Sequence, residues 1–253
     1  MIMMNNTFSG KKALVVGGSG GIGKAVALGL AEKGAKLIIH GGSSKERLEN
    51  TLAQIKKSSA EAQGFLLPIN CEEDARKVFD FSPDIDILVC AWGPFFRGAL
   101  NTIDEKDKTE KTWRAMSLNL TIPGVLVSLF LPGMIKKKWG RILLFGGTNT
   151  DTIRGYSTTA AYSAAKTGLG VIAKSVPKTL KNKPPETSVT CNVICPGLTD
   201  TEYLNEDALL YNLVNTTDKK PLKPEDIAAV CMIILNNPNI NGVIIPVDKG
   251  LCL

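Results

Sequence analysis

The chain holds a single histidine, His40, in 253 residues. That scarcity rules out a multi-histidine metal site, and a serine–histidine triad has no place unless His40 serves it. No uninterrupted apolar run reaches membrane-spanning length. The opening "MIMMNNTFSG" lacks a basic region followed by a long apolar segment, so no signal peptide is read there. The six cysteines (Cys71, Cys90, Cys191, Cys195, Cys231 and Cys252) form no CxxC pair. Most lie in apolar runs, where cysteine acts as a small hydrophobe, and they read as reduced thiols of a cytoplasmic protein. The formal charge is +6, but the lysines are scattered apart from Lys136, Lys137 and Lys138. That cluster reads as a solvated helix end, and neither nucleic acid nor membrane is expected as a partner. Catalysis, if present, must rest on Tyr, Lys, Asp, Glu, Cys or a cofactor.

Apolar residues at 44% and charged residues at 21% are ordinary for a globular protein. One stretch is not ordinary: Gly17 to Gly23, "GGSGGIG", carries five glycines between two well-patterned segments. Before it, Ala13 to Val16 reads as a strand buried on both faces. After it, Ile22, Val26, Leu28, Leu30 and Ala31 recur at helical spacing until Gly34 stops the pattern. Lys36 to His40 then reads as a second strand. In such a βαβ unit a glycine turn lets a pyrophosphate approach the backbone at a helix N-terminus. Gly17, Gly21 and Gly23 serve the tight turn, the close approach and the helix–strand packing, with Ser19, Gly20 and Ile22 in the same turn. His40 reads as a loop-edge histidine, with the cleft wall as the alternative.

Further strands are expected at Phe65–Ile69, Ile85–Cys90, Arg141–Phe145, Val189–Ile194 and Val243–Val247. Helices are expected at Lys45–Ser58, Glu72–Phe81, Thr121–Lys137, Ala160–Lys181 and Pro224–Asn236. This alternation predicts an α/β fold, a doubly wound Rossmann arrangement with a parallel sheet of about seven strands flanked by helices. Pro246 places the last strand at an edge. No repeat, low-complexity tract or linker interrupts residues 1–253, which read as one dinucleotide-binding domain. Ligands are expected beyond the carboxyl ends of the strands.

In "AAYSAAKTGL", Tyr162 and Lys166 lie four apart at a helix start and share a face. An ammonium beside a phenol, together with the positive end of a nicotinamide, favours phenolate, so Tyr162 is placed to trade a proton with a carbonyl or alcohol oxygen. Taken with the glycine turn, the pattern resembles the short-chain dehydrogenase/reductase family over nearly the whole chain. The resemblance implies a nicotinamide cofactor, a tyrosine acid/base at Tyr162, and Lys166 gripping the nicotinamide ribose. It assigns Asn119, in "SLNL", to a proton-relay water. In "CPGLTDT", Cys195 to Thr201, backbone groups around Pro196, Gly197 and Thr199, together with Thr201, would hold the carboxamide. "NGVIIPVDKG", Asn241 to Gly250, resembles the family's last strand.

Several positions depart from the family pattern. "CAWG", Cys90 to Gly93, replaces the usual Asn-Asn-Ala-Gly, with Ala91 and Gly93 still allowing the adenine-ribose side to approach. In "LLFGGTNT", Gly146 and Gly147 fall where the family has its substrate-binding serine, in a loop two residues longer than usual. Thr148 is the expected substitute hydroxyl. No acid follows the second strand until Glu46; Ser43, Ser44 and Lys45, assisted by Arg47, suit a 2′-phosphate, so NADP is favoured over NAD. Asn70 is placed to read the adenine amine.

The leading expectation is an NADP(H)-dependent carbonyl reductase or alcohol dehydrogenase, with a 3-oxoacyl-carrier-protein reductase as one possibility. The alternative is a non-catalytic NADP-binding regulatory module. The substrate reads as an apolar carbonyl or alcohol compound under a lid at about 201–221 that includes Tyr203, Leu204, Leu209, Leu210, Tyr211 and Leu213, with "WGPFF", Trp92 to Phe96, as an aromatic rim. A homodimer or homotetramer is expected through the helices at 121–137 and 160–181.

Overall fold

The computed structural model describes residues 7–58, 60–95, 97–101, 106–204 and 219–251. Strand β1 (Lys12–Val16) turns into helix α1 (Gly21–Glu32), followed by β2 (Lys36–Gly41) and α2 (Lys45–Lys57). Next come β3 (Ala62–Leu66), α3 (Glu72–Phe81), β4 (Ile87–Cys90) and α4 (Lys106–Lys136). The chain continues through β5 (Trp139–Phe145), α5 (Ala160–Thr179), β6 (Ser188–Pro196), α6 (Pro224–Asn236) and β7 (Ile244–Val247). All seven strands run parallel in the order β3-β2-β1-β4-β5-β6-β7. The doubly wound sheet expected from the alternation is the one observed.

Strand β1 shows why its sequence is a continuous apolar run. Ala13 and Val15 join one buried layer, with Leu30 of α1 and Ile234 of α6. Leu14 and Val16 join the other, with Phe130 of α4 and Leu169 of α5. Side chains alternate across the sheet, and both faces are covered. The chain builds outward from β1 in both directions, so the strand order reverses between β1 and β4. A crevice opens there beyond the carboxyl ends of the strands.

Two elements differ from the sequence reading by more than two residues at an end. Strand β3 begins at Ala62 rather than Phe65 and stops at Leu66, before Pro68, which has no N–H to give a ladder. Helix α4 begins at Lys106 rather than Thr121, because its first turns are polar and carry no apolar stripe to read. Within it, Thr109–Lys136 is long and apolar enough to cross a bilayer by length and composition. Its Ile122, Leu126, Phe130 and Met134 are buried in the second core layer. Strand β7 is at the sheet edge, as Pro246 implies.

At the amino ends of β5 and β6 a polar network closes the sheet. Buried Arg141 donates from Nε to the Leu235 carbonyl at 2.9 Å, from Nη1 to the carbonyls of Gly140 and Ser188 at 2.8 Å each, and from Nη2 to Ser188 Oγ at 3.2 Å. Its guanidinium carbon lies 4.5 Å from the Trp139 ring centre. Nearby, Lys137 Nζ is 2.8 Å from Asp86, whose other oxygen accepts the Lys12 N–H at 3.0 Å.

Candidate active site

The glycine turn is built by backbone crowding. Gly17 has φ +79°, and a Cβ there would sit 2.8 Å from the Ala91 carbonyl oxygen. A Cβ at Gly23 would sit 2.2 Å from the Gly17 carbonyl oxygen. Only glycine lets α1 and β4 approach this turn so closely. His40 pins the turn from below. Its Nδ1 accepts the Gly17 N–H at 3.2 Å, and its Nε2 donates to the Leu67 carbonyl at 2.8 Å. The ring is fully buried, and burial lowers its pKa below 6.5. His40 is therefore neither a loop-edge residue nor part of the cleft wall. It is a neutral strut with Nε2 protonated.

A cleft of about 620 Å³ opens above the turn. Gly17, Ser19, Gly20, Gly21, Ile22 and Gly23 form its floor. Gly42, Ser43, Ser44 and Arg47 close one side, and Ala91, Trp92, Gly93, Pro94 and Phe95 close another. Phe145, Gly146, Tyr162, Lys166, Pro196, Thr201 and Tyr203 complete it. Most of the sequence-predicted cofactor residues thus converge. Lys45 and Asn70 do not line the cleft: Lys45 pairs with Glu49 at 3.7 Å, and Asn70 turns its amide toward the Pro68 carbonyl at 3.4 Å. Gly197 and Thr199 lie behind the wall, where Thr199 donates to the Gly197 carbonyl at 2.9 Å. Ser44 caps α2, accepting the Arg47 N–H at 3.3 Å. Residues 205–218 of the expected lid, together with Phe96 and Cys252, lie outside the described residues.

One participant was missed from the sequence. Glu202 sets both carboxylate oxygens 3.1 Å from the Gly21 N–H, at the start of α1. Arg47 braces this arrangement, donating to the Tyr203 hydroxyl at 2.7 Å with Nη1 3.8 Å from Glu202. A helix N-terminus attracts an anion, and the chain's own carboxylate takes that seat. The only sequence signal was an acid directly after Thr201.

Tyr162 and Lys166 sit in the first two turns of α5. Lys166 is buried, donates to the Phe145 carbonyl at 3.0 Å, and lies 5.7 Å from the centre of the Tyr162 ring. Burial brings its pKa down to about 8. Burial also drives the Tyr162 phenol well above its usual range, so in the protein alone it stays protonated despite the ammonium nearby. Asn119 comes from α4 rather than a loop and donates to the Pro94 carbonyl at 2.7 Å. A Cβ at Gly93 would meet Asn119 Oδ1 at 2.1 Å and Lys166 Nζ at 3.1 Å, which shows how closely the three meet. Phe95 stands edge-on to Tyr162 with ring centres 5.1 Å apart.

The loop after β5 forms a tight turn. Thr150 Oγ1 accepts the Gly147 N–H at 2.7 Å and donates to the Gly147 carbonyl at 2.8 Å. Asn149 in this turn takes φ +62°. Gly147 packs against Tyr162: a Cβ there would lie 3.1 Å from the Tyr162 hydroxyl. Thr148 gives its hydroxyl proton to the Pro196 carbonyl at 3.2 Å and does not line the cleft. The five described cysteines are free, and burial pushes Cys90 and Cys231 up to about 12 and Cys195 to about 11, so these thiols are poor nucleophiles.

The short chain dehydrogenase model matches residues 11–209. The chain belongs to that family. It is 30% identical over 271 residues to an uncharacterized oxidoreductase, YvaG, of Bacillus subtilis, covering 98% of each chain. It is 26% identical to the 3-oxoacyl-[acyl-carrier-protein] reductase FabG of Aggregatibacter actinomycetemcomitans, covering 94% of this chain and 98% of that one. A crystal structure of a dehydrogenase/reductase from Sinorhizobium meliloti superposes with a TM-score of 0.80 at 23% identity, covering 100% of this chain and 99% of that one, a likeness of fold. Short-chain dehydrogenases are oxidoreductases that bind NAD(P), and the cradle here fits such a group. Side-chain-free backbone at Gly17, Gly20, Gly21 and Gly23, the start of α1, and an anion already held there by the Gly21 N–H all suit a pyrophosphate.

Proposed function

We propose that this short-chain dehydrogenase is an NADP(H)-dependent carbonyl reductase in which Tyr162 carries the proton. The observation behind the proposal is that Tyr162 and Lys166 share one cleft with the glycine cradle. When bound, the nicotinamide supplies or accepts the hydride. The Gly20–Gly21 backbone would hold the pyrophosphate in the seat Glu202 takes here. Arg47, Ser43 and Ser44 meet a 2′-phosphate, and the end of β2 offers no carboxylate to repel it. Lys45 would join them if it left Glu49, and Asn70 would read the adenine if its amide left the Pro68 carbonyl. Thr201 and the backbone from Pro196 to Thr199 hold the carboxamide side.

Tyr162 is protonated in the protein alone, which suits reduction: its phenol would give its proton to the substrate's carbonyl oxygen. Lys166 then faces a phenolate and stabilises it, and Asn119 orders the water that returns a proton. A second copy of the chain is expected to pair through α4 and α5, where Val171 is 69% exposed. Purified protein assayed with NADPH and NADH against a carbonyl panel tests the reading. NADPH oxidation that disappears in Tyr162→Phe supports it. Unchanged turnover in that variant rejects the proton role, preference for NADH rejects the cofactor choice, and cofactor binding without turnover favours a regulatory module.

A further inference from the structure

The loop after β4 carries a cation that the reading above leaves unused. Residues 94–98 are tied at both ends. The Pro94 carbonyl accepts from Asn119 of α4 at 2.7 Å, and the Gly98 N–H donates at 2.7 Å to the Thr158 carbonyl, just before α5. Gly98 also lies tight against α4, where a Cβ would sit 2.5 Å from Thr112 Oγ1. The helices that present Asn119 and Tyr162 therefore also place this loop. Within it, Phe95 lines the cleft, is 59% exposed and stands edge-on to Tyr162. The guanidinium carbon of Arg97 lies 5.8 Å from the centre of the Phe95 ring, and that centre is 5.1 Å from the Tyr162 ring. Arg97 thus stands at the rim, no more than about 11 Å from the Tyr162 ring centre.

Arg97 is exposed, and no carboxylate among the described residues pairs with it, whereas Arg47 is 3.8 Å from Glu202 and Arg154 is 3.5 Å from Asp151. No aspartate or glutamate is among the described residues that line the cleft, though Arg47 and Lys166 are. An anion arriving here meets cations and no carboxylate on the wall. An exposed phenyl ring followed by an unpaired guanidinium suits a ligand that is apolar along its stem and anionic at its end. We infer that the substrate is an oxo acid: its carbonyl meets Tyr162, its carbon stem crosses Phe95, and its carboxylate pairs with Arg97 at the rim. This deepens the carbonyl-reductase reading above and rests on it. The carboxylate takes no part in the bond changes, so the product is the corresponding hydroxy acid. Arg97 is a specificity-determining residue, and its planar fork can hold both carboxylate oxygens.

Three oxo acids of increasing stem, 4-oxopentanoate, 5-oxohexanoate and 6-oxoheptanoate, test this against their methyl esters, with the full chain and NADPH. Each pair shares its ketone and its stem and differs in charge. At least one acid should exceed its ester in kcat/KM by about five- to fiftyfold, on the scale of a charge-assisted bond at a partly exposed site. The margin should shrink at high salt. Arg97→Met keeps the apolar stem of the side chain and removes the charge. It should raise KM for that acid and bring acid and ester to within about threefold of each other. Arg97→Lys should keep part of the margin, since a point charge replaces the fork.

Calorimetric titration of the NADP⁺ complex with the same acid and ester gives a readout independent of turnover, because a ketone and the oxidised cofactor cannot react. The acid should bind more tightly, and the margin should vanish in Arg97→Met. Equal rates for acid and ester, both lost in Tyr162→Phe, overturn this inference and leave the carbonyl-reductase reading intact. A margin that survives in Arg97→Met also overturns it, by assigning the charge to another cation. 5-Oxohexyl phosphate outrunning every acid by about tenfold or more overturns the carboxylate in favour of a phosphate. If no ketone turns over, the carbonyl-reductase reading fails. Tighter, Arg97-dependent binding of the acid then still supports the anion site, and equal binding of acid and ester overturns it.

Discussion

At the amino ends of β5 and β6, Arg141 gives its hydrogens to three carbonyls and a serine, all within the protein. At the carboxyl ends of β1 and β5, the glycine cradle, Gly146 and protonated Tyr162 face a cleft. Both ends are crowded, but their polar groups differ in partner. Below, every contact belongs to the fold and has no reason to exchange. Above, the Gly21 N–H is held by Glu202, an exposed carboxylate 181 residues away in the chain. The lower network is satisfied by buried or half-buried partners, and the cradle's Gly21 N–H by an exposed side chain.

Substitutions at each end should break this contrast in different ways. The largest effect is expected from Tyr162→Phe, which should cut turnover by about 10²–10⁴-fold while leaving NADPH affinity and unfolding unchanged. A loss of stability in that variant would place Tyr162 among the structural groups. Arg141→Met should do the reverse, costing about 2–4 kcal/mol in urea unfolding by stranding buried acceptors, with cofactor affinity preserved. A cost below the error of the measurement would show that the lower network is dispensable.

Glu202→Gln should tighten NADPH binding about two- to tenfold at low salt, and less at high salt, because the cradle loses a competing anion. Fluorescence titration checks this, and weaker binding would mean that Glu202 assists the cofactor. The smallest effect concerns His40, an upper-end residue satisfied wholly within the protein. Its folded pKa lies below 6.5, so the unfolded chain takes up the proton first. Its contribution is full above about 6.5 and falls as pH drops toward the folded value. Asp74, held down at about 2 by Lys77 and the Asn70 N–H, acts only in a lower window beneath 3.8, so the two can be separated. In His40→Gln the pH slope below 6.5 should flatten, as followed by thermal unfolding; an unchanged slope would assign it elsewhere.

Local signals carried much of this structure. Helices α3 and α6 begin and end where the sequence reading puts them, because acids fill the first turn of each and Pro224 opens the second. The glycine turn, the Tyr162–Lys166 pair and the edge position of β7 were equally legible. Strand β3 was misplaced because an apolar run, Phe65–Ile69, outweighed the bar that Pro68 sets to ladder formation. The polar start of α4 looked like a loop because only its later turns carry a core stripe. Glu202 and the Arg47–Tyr203 bond were out of reach for another reason: they join segments more than 150 residues apart in the chain. His40 was misjudged on similar grounds, since its two partners belong to different turns of the fold. The Thr148 expectation counted hydroxyls along the chain, whereas the carbonyl of Pro196 decides where that proton points.

Pro246 has a consequence for how the molecule meets its own copies. Val243 and Val247 accept bonds from Val193 and Gly197 of the β6 segment, so alternate residues of β7, Ile244 and Pro246, turn their backbone outward. The outer rim therefore lacks a donor at the centre of a four-residue strand. A strand arriving from another molecule would find too few rungs to climb, which discourages edge-to-edge growth of the sheet. Association on this side is left to side chains and helical surfaces, where contacts are finite and the assembly can close.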